Sequence, residues 1–207
     1  MLIKLAILLL VTVTYTLVRY VTFGTVSVVQ IPVYLLNKSI ALAAVCCLLL
    51  AAFYLSKQML KQTKQWGIAS FHFAAVHVLL SNLIISSDYF PKLFDSNRMN
   101  LMGELTLLFG VLAGYALWHA RYQELTQIKP KVFQIIASVF ILGHLITLGY
   151  TNWLNVGLWY GRLPPISLLS FIIVIISILF LIKHKFQRRT VPPFRDKKHE
   201  SNIKIPT

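Results

Sequence analysis

The sequence predicts an all-α membrane protein, a six-transmembrane helical bundle with both termini cytoplasmic. Three observations predict it. Hydrophobic residues make up 57% of the 207 positions and charged residues only 13%, about half the charge of an average soluble domain. Mean hydropathy is +0.70, and the apolar residues fall in runs of ~18 or more, the length that crosses a bilayer as a helix. Lysine and arginine also gather in alternate connecting segments, as the positive-inside rule requires.

The first span runs from about Leu2 to Val18. Lys4 and the apolar run after it resemble a secretory signal, but no small-x-small cleavage site closes the run, so it reads as an uncleaved span. Tyr20 to Leu36 is rich in β-branched residues and broken by Gly24 and Pro32, which predicts a loop. The second span covers about Ser39 to Leu55. Cys46 and Cys47 are adjacent on it; this is not the spacing of a thiol oxidoreductase, and adjacent cysteines bridge only with strain, so they read as small packing residues. The remaining spans are about Trp66 to Ser86, Leu101 to His119, Val132 to Tyr150 and Ile166 to Ile182. Residues 1–185 form the bundle, and 186–207 form a flexible basic tail.

Charge sets the orientation. Lys57, Lys61 and Lys64 follow the second span without an acid. Arg121, Lys129 and Lys131 stand against Glu124 after the fourth. The segment after the sixth span carries eight Lys and Arg, with His184 and His199 among them. The opposite side is poorer: Lys92 and Arg98 offset by Asp88 and Asp95, then Arg162. This predicts a multi-pass protein of the plasma (inner) membrane. Much of the net charge of +14 is then a topology signal and an anchor for anionic lipid. Nucleic acid is not an expected partner, because no folded basic surface or recognition motif is present.

Two histidines carry the function reading. An ionisable side chain inside a bilayer is costly and marks a functional site by default. His77 lies twelve residues beyond Gln65, and His144 thirteen beyond Lys131. At 1.5 Å per residue both sit about 18–20 Å from the cytoplasmic end, in the outer half of a ~30 Å core, on parallel spans. Matched depth, parallel helices and imidazole donors are what two axial ligands of one haem iron need. Ala74, Ala75, Ala137, Ser138 and Gly143 offer room for a porphyrin. The bland alternative is that each histidine hydrogen-bonds a neighbouring helix, worth about 1 kcal/mol. Zinc fits less well, since its sites want three or four ligands.

His72 is a candidate for a second haem, but Lys131, Val132 and Phe133 occupy the place where its partner would stand, so one haem is expected. His119, beside Trp118 and Arg121, is an interfacial anchor or part of a donor site. Glu104 reads as an interfacial acid near Arg98, with proton transfer as the alternative. Tyr150, Trp153, Trp159 and Tyr160 form an aromatic belt or a docking surface. No phosphate loop, dinucleotide fingerprint or soluble domain is present, so flavin or quinone chemistry would come through a partner.

The order of local patterns resembles the ferric reductase-like transmembrane domains, in particular the haem-binding membrane subunit of the periplasmic methionine sulfoxide reductase system. Lys64-Gln65-Trp66-Gly67-Ile68-Ala69-Ser70-Phe71, followed by Ala74-Ala75-Val76-His77-Val78, is similar to the family's third span. Asn37-Lys38-Ser39-Ile40-Ala41-Leu42 looks like the start of the preceding span, and Met102-Gly103-Glu104-Leu105-Thr106 like the following one. His144 falls at the fifth-span histidine, and the likeness covers roughly residues 37–150. The chain departs from that subunit where it reads Lys131-Val132-Phe133-Gln134 and Tyr115-Ala116-Leu117-Trp118. With a single histidine pair it looks more like the six-transmembrane metalloreductases. The resemblance implies a b-type haem membrane cytochrome. It would pass electrons from a quinol or cytoplasmic flavoprotein to ferric iron or an extracytoplasmic acceptor. The alternative class is a non-redox membrane transporter or assembly subunit.

Overall fold

A computed structural model describes residues 1–24, 26, 29–122 and 130–190, with side chains undescribed at 130 and 184–190. Six helices are long and apolar enough to cross a membrane, and the chain is a multi-pass helical membrane protein. The helices are α1 (Leu2–Leu17), α2 (Ile31–Ser56), α3 (Leu60–Ile84), α4 (Leu101–Arg121), α5 (Pro130–Trp153) and α6 (Ile166–Thr190). One end of the bundle carries Phe23, Gly24 and the connections 85–100 and 154–165 and is called here the loop end. The other carries the N-terminus and the α2–α3 turn and is called the terminal end.

The helices form a ring. α2 packs on α3 and on α6, α6 on α5, and α5 on α4, while α1 lies outside against α2. The ring is loosest between α3 and α4. α2 is the central element: 61% of its most apolar window is buried inside the protein, against 17% for α1 and for α3. Its buried stripe is built from small residues, among them Ala43, Ala44, Cys47, Ala51 and Ala52. Without a hydrophobic driving force between helices in lipid, close approach over small side chains supplies the contact. Cys46 and Cys47 are both free, and Cys47 is fully buried, as a packing role requires.

The largest departure from the sequence reading is at residues 20–36. α1 is continued by a π-helical turn, Val18–Thr22, which buries Arg19 and Tyr20. α2 begins at Ile31, eight residues before the predicted Ser39. Pro32 does not break it, because proline is tolerated in a first turn, where no N–H partner is needed. Asn37 and Lys38 are therefore helical, well within α2 rather than just before its start. Thr16 of α1 meets Ser39 of α2 at 2.6 Å, oxygen to oxygen.

Smaller differences have a common cause. α3 begins at Leu60 instead of Trp66, α5 at Pro130 instead of Val132, and α6 runs on to Thr190 instead of Ile182. Lysine and glutamine are good helix formers, so a helix continues beyond the apolar stretch that defines the span. α6 thus passes the predicted tail boundary at 185. Residues 191–207, including His199, lie outside the described residues, as do Glu124 and Lys129 of the α4–α5 connection.

The loop end is ordered by short-range devices. Two-residue strands β1 (Phe94–Asp95) and β2 (Arg98–Met99) pair antiparallel. Asn100 then caps α4, its Oδ1 accepting from Gly103 N at 3.0 Å. Gly103 is required there: a Cβ would stand 2.4 Å from Met99 Cγ and 2.5 Å from Leu93 O.

Candidate functional site

A cavity of about 770 Å³ lies inside the ring, lined mostly by apolar side chains of α2–α6 and bordered toward the loop end by the connecting segments. That volume is within the ~300–1,000 Å³ of ordinary small-molecule and cofactor sites. His77 of α3 and His144 of α5 both line it. The two histidines singled out by the sequence are thus brought to one cavity.

Each imidazole is held through the same ring nitrogen. His144 Nδ1 donates to the backbone carbonyl of Thr106 on α4 at 2.8 Å. Only a protonated nitrogen can make that bond, so Nδ1 carries the hydrogen and Nε2 keeps its lone pair. His77 Nδ1 meets Asn37 Oδ1 on α2 at 2.5 Å. Asn37 Nδ2 donates to Ser81 Oγ at 3.2 Å, which leaves the amide oxygen as the acceptor for His77. Both histidines are therefore Nδ1–H tautomers with a free Nε2. A carbonyl on the far nitrogen is the usual support behind a metal-ligating histidine, because it fixes the ring and raises its basicity.

The backbone is shaped to admit these contacts. Gly110 stands one turn beyond Thr106 on α4, and a Cβ there would lie 3.1 Å from His144 Nδ1. Its absence lets the ring reach the Thr106 carbonyl. Thr106 Oγ1 donates to Met102 O at 2.6 Å and to Thr147 Oγ1 at 2.8 Å, which ties α4 to α5 beside the histidine. Asn37 is 1% exposed, and its amide is the only polar route from α2 to His77 recorded among the described residues.

The small residues expected to make room are mostly elsewhere. Ala74 lines the cavity. Ala75 faces outward, Ala137 and Ser138 are fully buried, and Gly143 faces Phe109. The space comes instead from Ala41 and Ala44 of α2 and from Gly110 and Ala113 of α4.

Of the other candidates only Tyr160 lines the cavity; His72, His119 and Glu104 stand apart from it. His72 is exposed on the outer face of α3, in a shallow groove with Met1, Leu5 and Gln65. His119 is stacked on Phe133 at 5.2 Å and edge-on to Tyr115 at 4.4 Å, with its Nδ1 buried and unpartnered. Glu104 is exposed in the first turn of α4, where the positive end of the helix favours an acid. The aromatic group is engaged internally. Trp153 Nε1 donates to Ser167 Oγ at 3.0 Å, Trp159 Nε1 to Asn152 O at 2.9 Å, and Tyr160 packs edge-on against Tyr20. Tyr150 stays exposed.

Sequence reasoning missed Asn37, Thr106 and Gly110 as parts of the site. The signal for Asn37 was present: a polar pair, Asn37-Lys38, directly precedes an apolar run. Thr106 acts through its carbonyl, which every residue has, so no side-chain pattern announces it.

Among the described residues no group of three or more His, Cys, Asp or Glu side chains converges. His77 and His144 together bring two imidazole donors to one cavity, fewer than the three or four protein ligands of a tetrahedral metal site. No family model matches the chain, and no curated protein matches it significantly.

Proposed function

We propose that the chain is a b-type membrane cytochrome that holds one haem through Nε2 of His77 and Nε2 of His144. The observation that carries the reading is the paired anchoring of the two Nδ1 atoms, by Asn37 Oδ1 and the Thr106 carbonyl. When bound, the haem iron supplies one-electron transfer. The protein's part is to orient both rings, to keep their Nε2 atoms unprotonated and to surround the site with apolar side chains that exclude water. Ligand identity, burial and the hydrogen bonds behind the ligands would set the potential.

The topology that goes with this reading puts the terminal end in the cytoplasm of a plasma (inner) membrane, because Lys57, Lys61 and Lys64 lie at the α2–α3 turn and the start of α3 at that end. Electrons would arrive there from a quinol or a flavoprotein and leave at the loop end, to ferric iron or an extracytoplasmic acceptor. The resemblance to ferric reductase-like domains supports this direction of flow.

A second reading has its own observation. The His77–Asn37 bond joins α3 to α2, and the His144–Thr106 bond joins α5 to α4, so both histidines serve a purely structural protein equally well in these bonds. Absorption spectroscopy separates the two. Protein purified from haem-replete cells is expected to show a Soret band that shifts on dithionite reduction, with sharp α and β bands. Haem-free protein from such cells, well folded by its circular dichroism, would overturn the cytochrome reading and leave the structural one.

A further inference from the structure

The cavity has an electrical polarity that two imidazoles do not explain. Four charged residues line it: Arg19, Lys38, Asp88 and Lys92. Asp88 and Lys92 are exposed on the α3–α4 connection, at the rim. Lys92 is engaged there, its Nζ donating to Asn152 Oδ1 at 2.6 Å. Arg19 and Lys38 lie deeper, on the π turn that ends α1 and on α2.

Neither of the deep cations is paired with a carboxylate among the described residues. Arg19 is 4% exposed. Its Nη1 donates to the backbone carbonyls of Leu163 and Tyr160, while its Nε is buried without a partner. Lys38 Nζ rests over the rings of Tyr34 and Phe90, 5.2 and 5.0 Å from their centroids. Ring faces stabilise a cation far less than taking its charge out of water costs. Two unneutralised cations inside a membrane bundle call for an anion from outside the chain. Lys38 also follows directly on Asn37, the residue that anchors His77, so the cationic pole and the ligand support share one turn of α2.

We infer that Arg19 and Lys38 form the anion-receiving pole of the cavity and take the propionate carboxylates of the porphyrin held by His77 and His144. The inference rests on the cytochrome reading above. It adds an orientation: the carboxylate edge of the macrocycle faces the loop end, where the π turn and the start of α2 meet.

The test is a binding titration of haem-depleted full-length protein with protohaem and with its dimethyl ester, in which both carboxylates are masked. The wild type is expected to bind protohaem at least about tenfold more tightly than the ester, the scale of a hydrogen bond to a charged group. Lys38→Met is expected to shrink that preference, and Lys38→Arg to keep it. The readout is the ratio of two affinities, so a variant weakened by general destabilisation still reports. Equal binding of both porphyrins by the wild type overturns the anion pole and leaves the histidine ligation standing. An undiminished preference in Lys38→Met overturns the assignment to Lys38. Failure of the wild type to bind either porphyrin overturns the cytochrome reading, and this inference with it.

Discussion

His72 and His77 stand five residues apart on one helix, and their surroundings have almost nothing in common. His77 lines the cavity and has Asn37 behind it. His72 lies on the outer face of α3 and belongs to a groove with Met1 and Leu5. Five residues turn a helix by about 140°, which separates the inward face from the outward one. The same contrast holds between α4 and α5. His144 is braced by a backbone carbonyl, whereas His119 is wedged between aromatic rings with Nδ1 unpartnered. Depth in the bilayer therefore does not make a histidine a ligand. What His77 and His144 share, and His72 and His119 lack among the described residues, is a polar group on the facing helix that fixes which nitrogen carries the proton.

The sharpest way to break this comparison is to exchange the partners. His77→Ala and His144→Ala are each expected to abolish bis-histidine haem binding, seen as loss of the low-spin spectrum. His72→Ala is expected to keep it. Were His72→Ala to empty the protein and His77→Ala to leave it loaded, the contrast would be reversed.

Gly110→Val should come next in size. Its Cβ would stand 3.1 Å from His144 Nδ1 before any further methyl is counted, so the ring must leave the Thr106 carbonyl. The haem-to-protein ratio is expected to fall severalfold, and a ratio equal to wild type would show that α4 does not position His144.

Asn37→Ala removes the support behind His77 but not the ligand. Loss of such a support commonly costs about 10–100-fold in metal affinity, and a fall in that range is expected in a haem titration. Retention of full affinity would mean that Asn37 serves only to join α2 to α3.

The smallest effect belongs to His119→Phe. A buried donor or acceptor without a partner costs about 1–3 kcal/mol, so an aromatic replacement among Tyr115 and Phe133 is expected to leave haem content unchanged and to hold or raise the unfolding temperature. A loss of haem there would place His119 in the site.

Much of this was legible in the sequence, for reasons that also mark where it stopped. The six spans and the pair His77 and His144 stand out because long apolar runs are unmistakable and intramembrane histidines are rare. Asn37 and Lys38 were placed outside the second span because a search for apolar runs ends where polar residues begin. In the folded chain they are held within α2, with His77 and Ser81 satisfying Asn37 and rings covering Lys38. Ala137 and Gly143 were expected at the cavity, yet face other helices, because the direction of a small side chain depends on helix rotation, which hydropathy does not record. Thr106 and Gly110 contribute a carbonyl and an absent Cβ, and neither has a side-chain signature.

Electron paramagnetic resonance of the purified ferric protein, wild type beside His144→Ala, tests the central claim most directly. The wild type is predicted to give a low-spin signal of two nitrogen axial ligands. His144→Ala should give a high-spin signal or none. A wild type that binds haem in the high-spin state, or a His144→Ala protein that keeps the low-spin signal unchanged, would contradict the account.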